Sequence, residues 1–193
     1  MADADLLDRA ARCYLMAGVG LDAARCYQDA GAHRAAADLL RQLRHYRESA
    51  EQYVAAGLTD EAAWVLAHLA GDPAAARALL SRSGSGSDTA QPTLTRRLAL
   101  ARCDVAEGVS AQQVLQALID AQAALERRDT FQDRRIEDWA VAVAEAAHRF
   151  DHVALVFAAA VRGGRRDAAQ RWQAWATRTF GAEIQIAESS ITG

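Results

Sequence analysis

Apolar and polar positions along the first 80 residues recur every 13 residues. Small pairs stand at Ala10-Ala11, Ala23-Ala24, Ala36-Ala37, Ser49-Ala50, Ala62-Ala63 and Ala75-Ala76. Four residues after the first member of each pair comes a large apolar residue: Tyr14, Tyr27, Leu40, Tyr53, Leu66 and Leu79. Three residues further stand Ala17, Ala30, Leu43 and Ala56, and Gly18, Gly31 and Gly57 follow three of these. Within a copy the apolar positions are i, i+1, i+4 and i+7, which share one side of a helix with 3.6 residues per turn. Each copy therefore reads as a short amphipathic helix. The glycine that follows is a stop, because it accepts the left-handed conformation past a helix end.

This rhythm predicts helices at 3–17, 20–30, 33–45, 46–56, 59–70 and 73–82. Thr59, followed by Asp60 and Glu61, reads as an N-cap with acids favouring the helix dipole. Asp72-Pro73 reads as a cap with proline at the first helical position. Helices of about ten residues are marginal alone and gain stability by stacking on their neighbours, as in a solenoid. Tight turns make successive helices antiparallel, so the natural unit is a 26-residue hairpin.

The Ala-Ala-x-x-Tyr-x-x-Ala-Gly copies at 10–18 and 23–31, and the Ser49 variant at 49–57, resemble the helical hairpins of tetratricopeptide-like and soluble-NSF-attachment-protein-like α-solenoids. The likeness covers residues 5–82. The hairpin is shorter than the tetratricopeptide's ~34 residues, and the Trp-x-x-Leu-Gly-x-x-Tyr signature is absent. The resemblance implies a stacked-helix interaction scaffold and carries over no ligand residues.

Beyond this repeat region (1–82), a Gly/Ser-rich connector at 83–92 reads as a loop or loose hinge. The 13-residue rhythm then stops, and a C-terminal helical region at 93–181 has predicted helices at 93–107, 111–127, 132–149, 152–162 and 165–180. It is either a bundle or a continuation of the stack. Ser110-Ala-Gln-Gln113 has capping-box spacing, and Val114, Leu118, Ala121 and Leu125 form a stripe on one helix face. Asp151 is the expected cap of a nearly all-apolar helix that Gly163-Gly164 ends. The tail at 182–193 alternates apolar and polar from Ala182 to Ala187, and is expected to be disordered, to pack on the last helix, or to pair with a partner's sheet edge.

Composition agrees with an all-α chain. Alanine makes up about a quarter of the 193 residues, aromatics 6%, and only two prolines occur. Lysine and asparagine are absent, as expected of the codon bias of a GC-rich, bacterial-type genome. Residues 1–82 carry 9 arginines against 11 carboxylates, and residues 83–193 carry 13 against 14. A net charge of -3 without asymmetry disfavours nucleic acid as partner. Three irregularly spaced cysteines make no disulfide framework. The acidic N-terminus lacks a signal-peptide core, and apolar runs such as Val153–Val161 are far shorter than the ~20 residues of a membrane span. A cytoplasmic protein with no membrane contact is the expectation.

Candidate chemistry is sparse. His148 and His152 lie four apart, a metal-compatible spacing, but Asp151 is expected to start a new helix between them. Cys13 and Cys26 share one repeat position and read as small apolar contacts. The third copy is locally basic (His33, Arg34, Arg41, Arg44, His45, Arg47) and reads as an ordinary solvated face neutralised by Glu48 and Glu51, with docking of an anionic peptide or phosphate as the alternative. Gly163-Gly164-Arg165-Arg166 lacks the preceding strand and the Lys-Ser/Thr of a P-loop and reads as a turn. The charged run from Arg127 to Asp138 reads as surface ion pairs, and the four tryptophans as core. No catalytic, cofactor or metal residues are assigned. The expected function is a non-enzymatic scaffold or adaptor that holds a protein or peptide partner. Specificity would lie at repeat positions that vary between copies: Arg12, Arg25, Asp38, Glu51 and Trp64. Arg12, Arg25, Arg41, Arg44 and Trp64 are the candidate partner-binding residues, with Trp64 as an exposed anchor. Two alternatives stand beside it: a ligand-binding or enzymatic C-terminal half, and a subunit of a homo- or hetero-oligomeric assembly.

Overall fold

Eleven helices and no strand occupy the residues that the computed structural model describes, 2–83, 92–127 and 134–185. The chain divides into two compact units, Met1–Ala90 and Gln91–Gly193, a division that falls in the Gly/Ser-rich stretch.

The first unit contains α1 (Ala2–Met16), α2 (Gly20–Asp29), α3 (His33–Gln42), α4 (Tyr46–Ala55), α5 (Thr59–Trp64, extended as a π-helical turn over Val65–Leu69) and α6 (Pro73–Ser83). Each helix packs on the next. The 13-residue period appears as one repeated C-terminal turn. The N–H groups of Val19, Ala32, His45 and Leu58 donate to the carbonyls of Tyr14, Tyr27, Leu40 and Tyr53, five residues back, at 2.8–2.9 Å. This is the Schellman bond, and it needs a left-handed residue just past the helix. Gly18, Gly31, Arg44 and Gly57 occupy that position with φ between 64° and 75°. Arg44 alone has a Cβ there, a strain of about 1 kcal/mol. Alanine in the small pairs lets the helices approach: Ala11, Ala23, Ala24, Ala36, Ala37, Ala62 and Ala63 are all buried. Ser49, the one hydroxyl among them, is buried as well and donates to the Ala37 carbonyl at 2.8 Å.

The fifth copy breaks the period. Its left-handed glycine is Gly71, 14 residues after Gly57. The π-turn absorbs the additional residue, with Ala70 N–H donating to the Val65 carbonyl and Asp72 N–H to Leu66, six residues back. The helix positions of α6 therefore shift by one, and Ala76 and Leu80 take the buried places. Asp72 caps α6 as expected, its Oδ1 accepting from the Ala75 N–H at 3.0 Å. Thr59 does not cap α5. The tight turn puts the cap position on Leu58, so Thr59 is already helical.

The second unit contains α7 (Leu94–Glu107), α8 (Ala111–Glu126), α9 (Arg135–Ala146), α10 (Phe150–Arg162) and α11 (Ala168–Phe180). Helices α7 and α10 each pack on both α8 and α9, and α11 packs on α10. Leu98, Cys103, Leu118, Val143, Val153, Val156 and Phe157 fill the core, and the Val114–Leu118–Ala121–Leu125 stripe is buried throughout. The capping box at Ser110 does not form. Ser110 is left-handed (φ 52°), and the Gln113 N–H bonds its carbonyl at 3.1 Å instead of its hydroxyl. Asp151 lies inside the first turn of α10, behind a cap position at Arg149, and its carboxylate pairs with that arginine. Gly163 lets α10 meet α8: a Cβ there would stand 2.1 Å from the Leu125 carbonyl oxygen. Trp172 and Trp175 stack with centroids 5.3 Å apart, and the Trp172 indole donates to the Ile184 carbonyl at 2.5 Å. The start of the tail thus packs on α11, and residues 186–193 lie outside the described set.

Candidate functional site

The first unit carries an open groove of about 620 Å³ at the start of α3 and the end of α4, lined by Gly31, Ala32, His33, Arg34, Asp38 and Ala56 among others. Polar side chains fix its walls. His33 Nδ1 meets Gln52 Oε1 at 3.0 Å, and the Tyr53 hydroxyl donates to Asp38 Oδ1. Burial, aided by that carboxylate, pushes the Tyr53 phenol up to about 12, against the opposing influence of Arg41. Arg41 Nη2 is 3.9 Å from Asp38. Arg34 is exposed at the rim. The groove thus offers one guanidinium, Arg34, facing solvent, and one carboxylate, Asp38, beside which Arg41 stands outside the lining.

The sequence-predicted residues separate into four groups. Arg41 is exposed and stands 3.9 Å from the groove residue Asp38 without lining the groove itself. Arg12 and Arg25 are exposed but engaged along their own helices, with Asp8 at 2.7 Å and Asp22 at 3.3 Å. Arg44 is exposed in the α3–α4 turn. Trp64 corrects the expectation: it is 7% exposed and lies against His68, centroids 4.9 Å apart. Ala62, Ala63, Trp64 and Val65 are buried in succession, an arc of about 300° at ~100° per residue. Helix α5 is therefore enclosed on nearly every side, and a repeat position that faces outward at Arg12, Arg25 and Glu51 faces inward here. Trp64 is core, not an interface anchor.

In the second unit two clefts flank the α7–α8 pair. One, of about 340 Å³, is lined by Asp104, Val105, Val109, Val114, Leu118, Arg149 and neighbours. The other, of about 310 Å³, includes Arg97, Leu100, Asp104, Gln116 and Asp120. Asp104 is buried and borders both; Arg97 pairs with Asp120 across the second. His148, His152 and Asp138 line neither. His148 is left-handed (φ 54°) and exposed in the α9–α10 turn. His152 is buried against Gln122 at 3.0 Å, and burial pushes its imidazole below the usual range. The pair is split by the turn, and no group of three potential metal-binding side chains occurs among the described residues.

Sequence reading missed the most buried charge. Glu137, from the run taken as surface pairs, is 0% exposed. Its Oε1 pairs with Arg171, which also reaches Asp138. Its Oε2 faces the buried Arg165 Nε at 3.4 Å without a hydrogen bond of its own. Burial raises the Glu137 carboxyl, against the pull of Arg171 and Arg165. The signal was present: Glu137, Ala140 and Ala144 lie at i, i+3 and i+7 on the buried face of α9. This network ties α9 to α11 and the turn before it. No family model, curated protein or solved structure matches the chain.

Proposed function

We propose that the chain is a non-enzymatic protein-interaction scaffold whose first unit holds an extended, acidic peptide segment of a partner in the groove between α3 and α4. The observation that carries this reading is the segregation of the repeat. Most of its constant Ala and Tyr/Leu positions turn inward, while Arg34 stands at the rim of an open concavity and Arg41 and Arg44 are exposed at the end of the same helix and in the turn after it. Guanidinium groups favour carboxylate partners through paired, planar hydrogen bonds. A helical stack of this kind, like the tetratricopeptide-like scaffolds it resembles, binds through its surface and needs no reaction chemistry.

The test is a peptide-display selection on the full chain. Enrichment of acidic segments, with binding lost in an Arg34→Glu/Arg41→Glu variant of unchanged thermal stability, supports the scaffold. No enriched motif, or one indifferent to those substitutions, overturns it.

A second reading rests on the α7–α8–α9 cleft. Its volume of about 340 Å³ lies within the range of small-ligand sites, ~300–1,000 Å³, and its wall combines valines and leucines with Asp104 and Arg149. A metabolite that raises the thermal stability of the full chain and loses that effect in Arg149→Ala would favour it.

A further inference from the structure

Arg34 and Asp38 both line the open groove at the start of α3, and each keeps hydrogen-bonding capacity that no described residue uses. Of the six arginines within α1 to α4, Arg9, Arg12, Arg25, Arg41 and Arg47 each lie 2.7–3.9 Å from a carboxylate. Arg34 is exposed and has no ion pair or hydrogen bond among the described residues. Asp38 is engaged through one oxygen. Its Oδ1 accepts from the Tyr53 hydroxyl and stands 3.9 Å from Arg41, while Oδ2 has no partner among the described residues. The Asp38 side chain is 43% exposed. His33 is committed to Gln52, and the rest of the lining is glycine and alanine. Arg34 and Asp38 could pair with each other at i, i+4, in the less favourable order with the base first. In this structure they do not, so the groove presents a donor fork and an acceptor side by side.

Spacing selects the occupant. Residues four apart on a helix have Cβ atoms about 5–6 Å apart. In an extended segment, residues i and i+2 face the same way and stand about 6.6–6.8 Å apart. The two spacings agree to within about 1 Å, which long side chains absorb; residues i and i+1 face opposite ways, and i and i+4 overshoot at about 13 Å. A carboxylate suits the Arg34 fork through paired N–H donors, and a cation suits the free Asp38 Oδ2. A second acid in that place would meet the Asp38 charge and be rejected. The glycine and alanine lining lets the backbone of such a segment lie close. We propose that the partner segment in this groove is bipolar, with an Asp or Glu against Arg34 and, two residues away, a Lys or Arg against Asp38. This rests on the scaffold reading and narrows it from an acidic segment to a charge pair of fixed spacing.

A displayed library of random peptides, selected on the full chain, tests it. Segments whose capture Arg34→Glu weakens are expected to carry an acid and a base two residues apart, in one chain order. For the strongest of them, replacing the base by alanine should weaken binding to the wild type at least about three-fold by fluorescence anisotropy. The same replacement should cost nothing on Asp38→Asn, since the pair it removes is already gone. Asparagine keeps an oxygen for the Tyr53 hydroxyl, so the thermal melt of that variant stays near that of the wild type. Three results overturn the inference and leave the scaffold reading standing: capture lost in Arg34→Glu/Arg41→Glu but not weakened by Arg34→Glu alone, Arg34-dependent segments without a base at that spacing, or a base whose replacement costs as much on Asp38→Asn as on the wild type. No enriched segment, or capture indifferent to Arg34→Glu/Arg41→Glu, sinks the scaffold reading and this inference with it.

Discussion

Gly163 is the sharpest test of the packing in the second unit. Its φ of -68° is open to any residue, so replacement by alanine carries no conformational penalty and the whole effect is steric. The added Cβ would lie 2.1 Å from the Leu125 carbonyl oxygen, 3.1 Å from its carbon and 3.3 Å from the Ala159 oxygen. An ordinary C···O contact is about 3.3–3.6 Å, so the first is short by more than about 1 Å. The obstructing atom is backbone at the end of α8 and cannot rotate aside; α8 and α10 must part where Ala124, Leu125 and Ala159 are buried. Overpacking costs about 1–3 kcal/mol, and a backbone clash belongs at the upper end, about 3 kcal/mol. With a urea dependence of about 1–2 kcal/mol per molar for a unit of this size, the midpoint falls by roughly 1.5–3 M. Tryptophan fluorescence is the appropriate signal, since Trp139, Trp172 and Trp175 belong to this unit. Gly181→Ala is the control. Gly181 has φ 69° and open space around its Cβ, so alanine there costs only the left-handed strain, about 1 kcal/mol. If Gly163→Ala destabilises no more than Gly181→Ala, the close approach of α8 and α10 is wrong.

Two further outcomes follow from burial. Trp64→Ala should cost about 3–5 kcal/mol, as for a large aromatic removed from a core, read as a lower urea midpoint by far-UV circular dichroism; a loss under about 1 kcal/mol would return Trp64 to the surface. Burial depresses the His152 imidazole in the folded chain, with Asp151 opposing and Arg149 assisting. The unfolded chain then takes up the proton first, so this group's stability is present above about pH 6.5 and is lost as pH falls through the lower folded value. Thermal melts between pH 7 and 5 should show a decline that His152→Gln flattens, and an equal slope in both proteins would contradict the assignment.

The helices were legible in the sequence because their stops are chemically marked. Gly18, Gly31 and Gly57 supply the left-handed residue, and the small pairs mark the buried face. The extra residue in α5 was hidden because the Ala62-Ala63 and Ala75-Ala76 pairs keep their 13-residue spacing while Gly71 moves by one; only the hydrogen bonds show which residue the π-turn absorbs. Trp64 was misassigned for a related reason: a repeat position is outward only while the helix has a free side, and α5 has almost none. The caps at Thr59 and Ser110 failed because side-chain type cannot report backbone conformation. Leu58 already occupies the cap position in one, and a left-handed Ser110 turns the other away. Glu137 lay within a charged run whose surface appearance outweighed its place on the apolar face of α9.

Amide hydrogen exchange on the full chain, with and without a display-selected acidic peptide, decides where a partner sits. The scaffold reading predicts slowed exchange across residues 31–56, at the start of α3 and the end of α4, with the second unit unchanged. Slowing confined to residues 104–118, or none anywhere at saturating peptide, would contradict it.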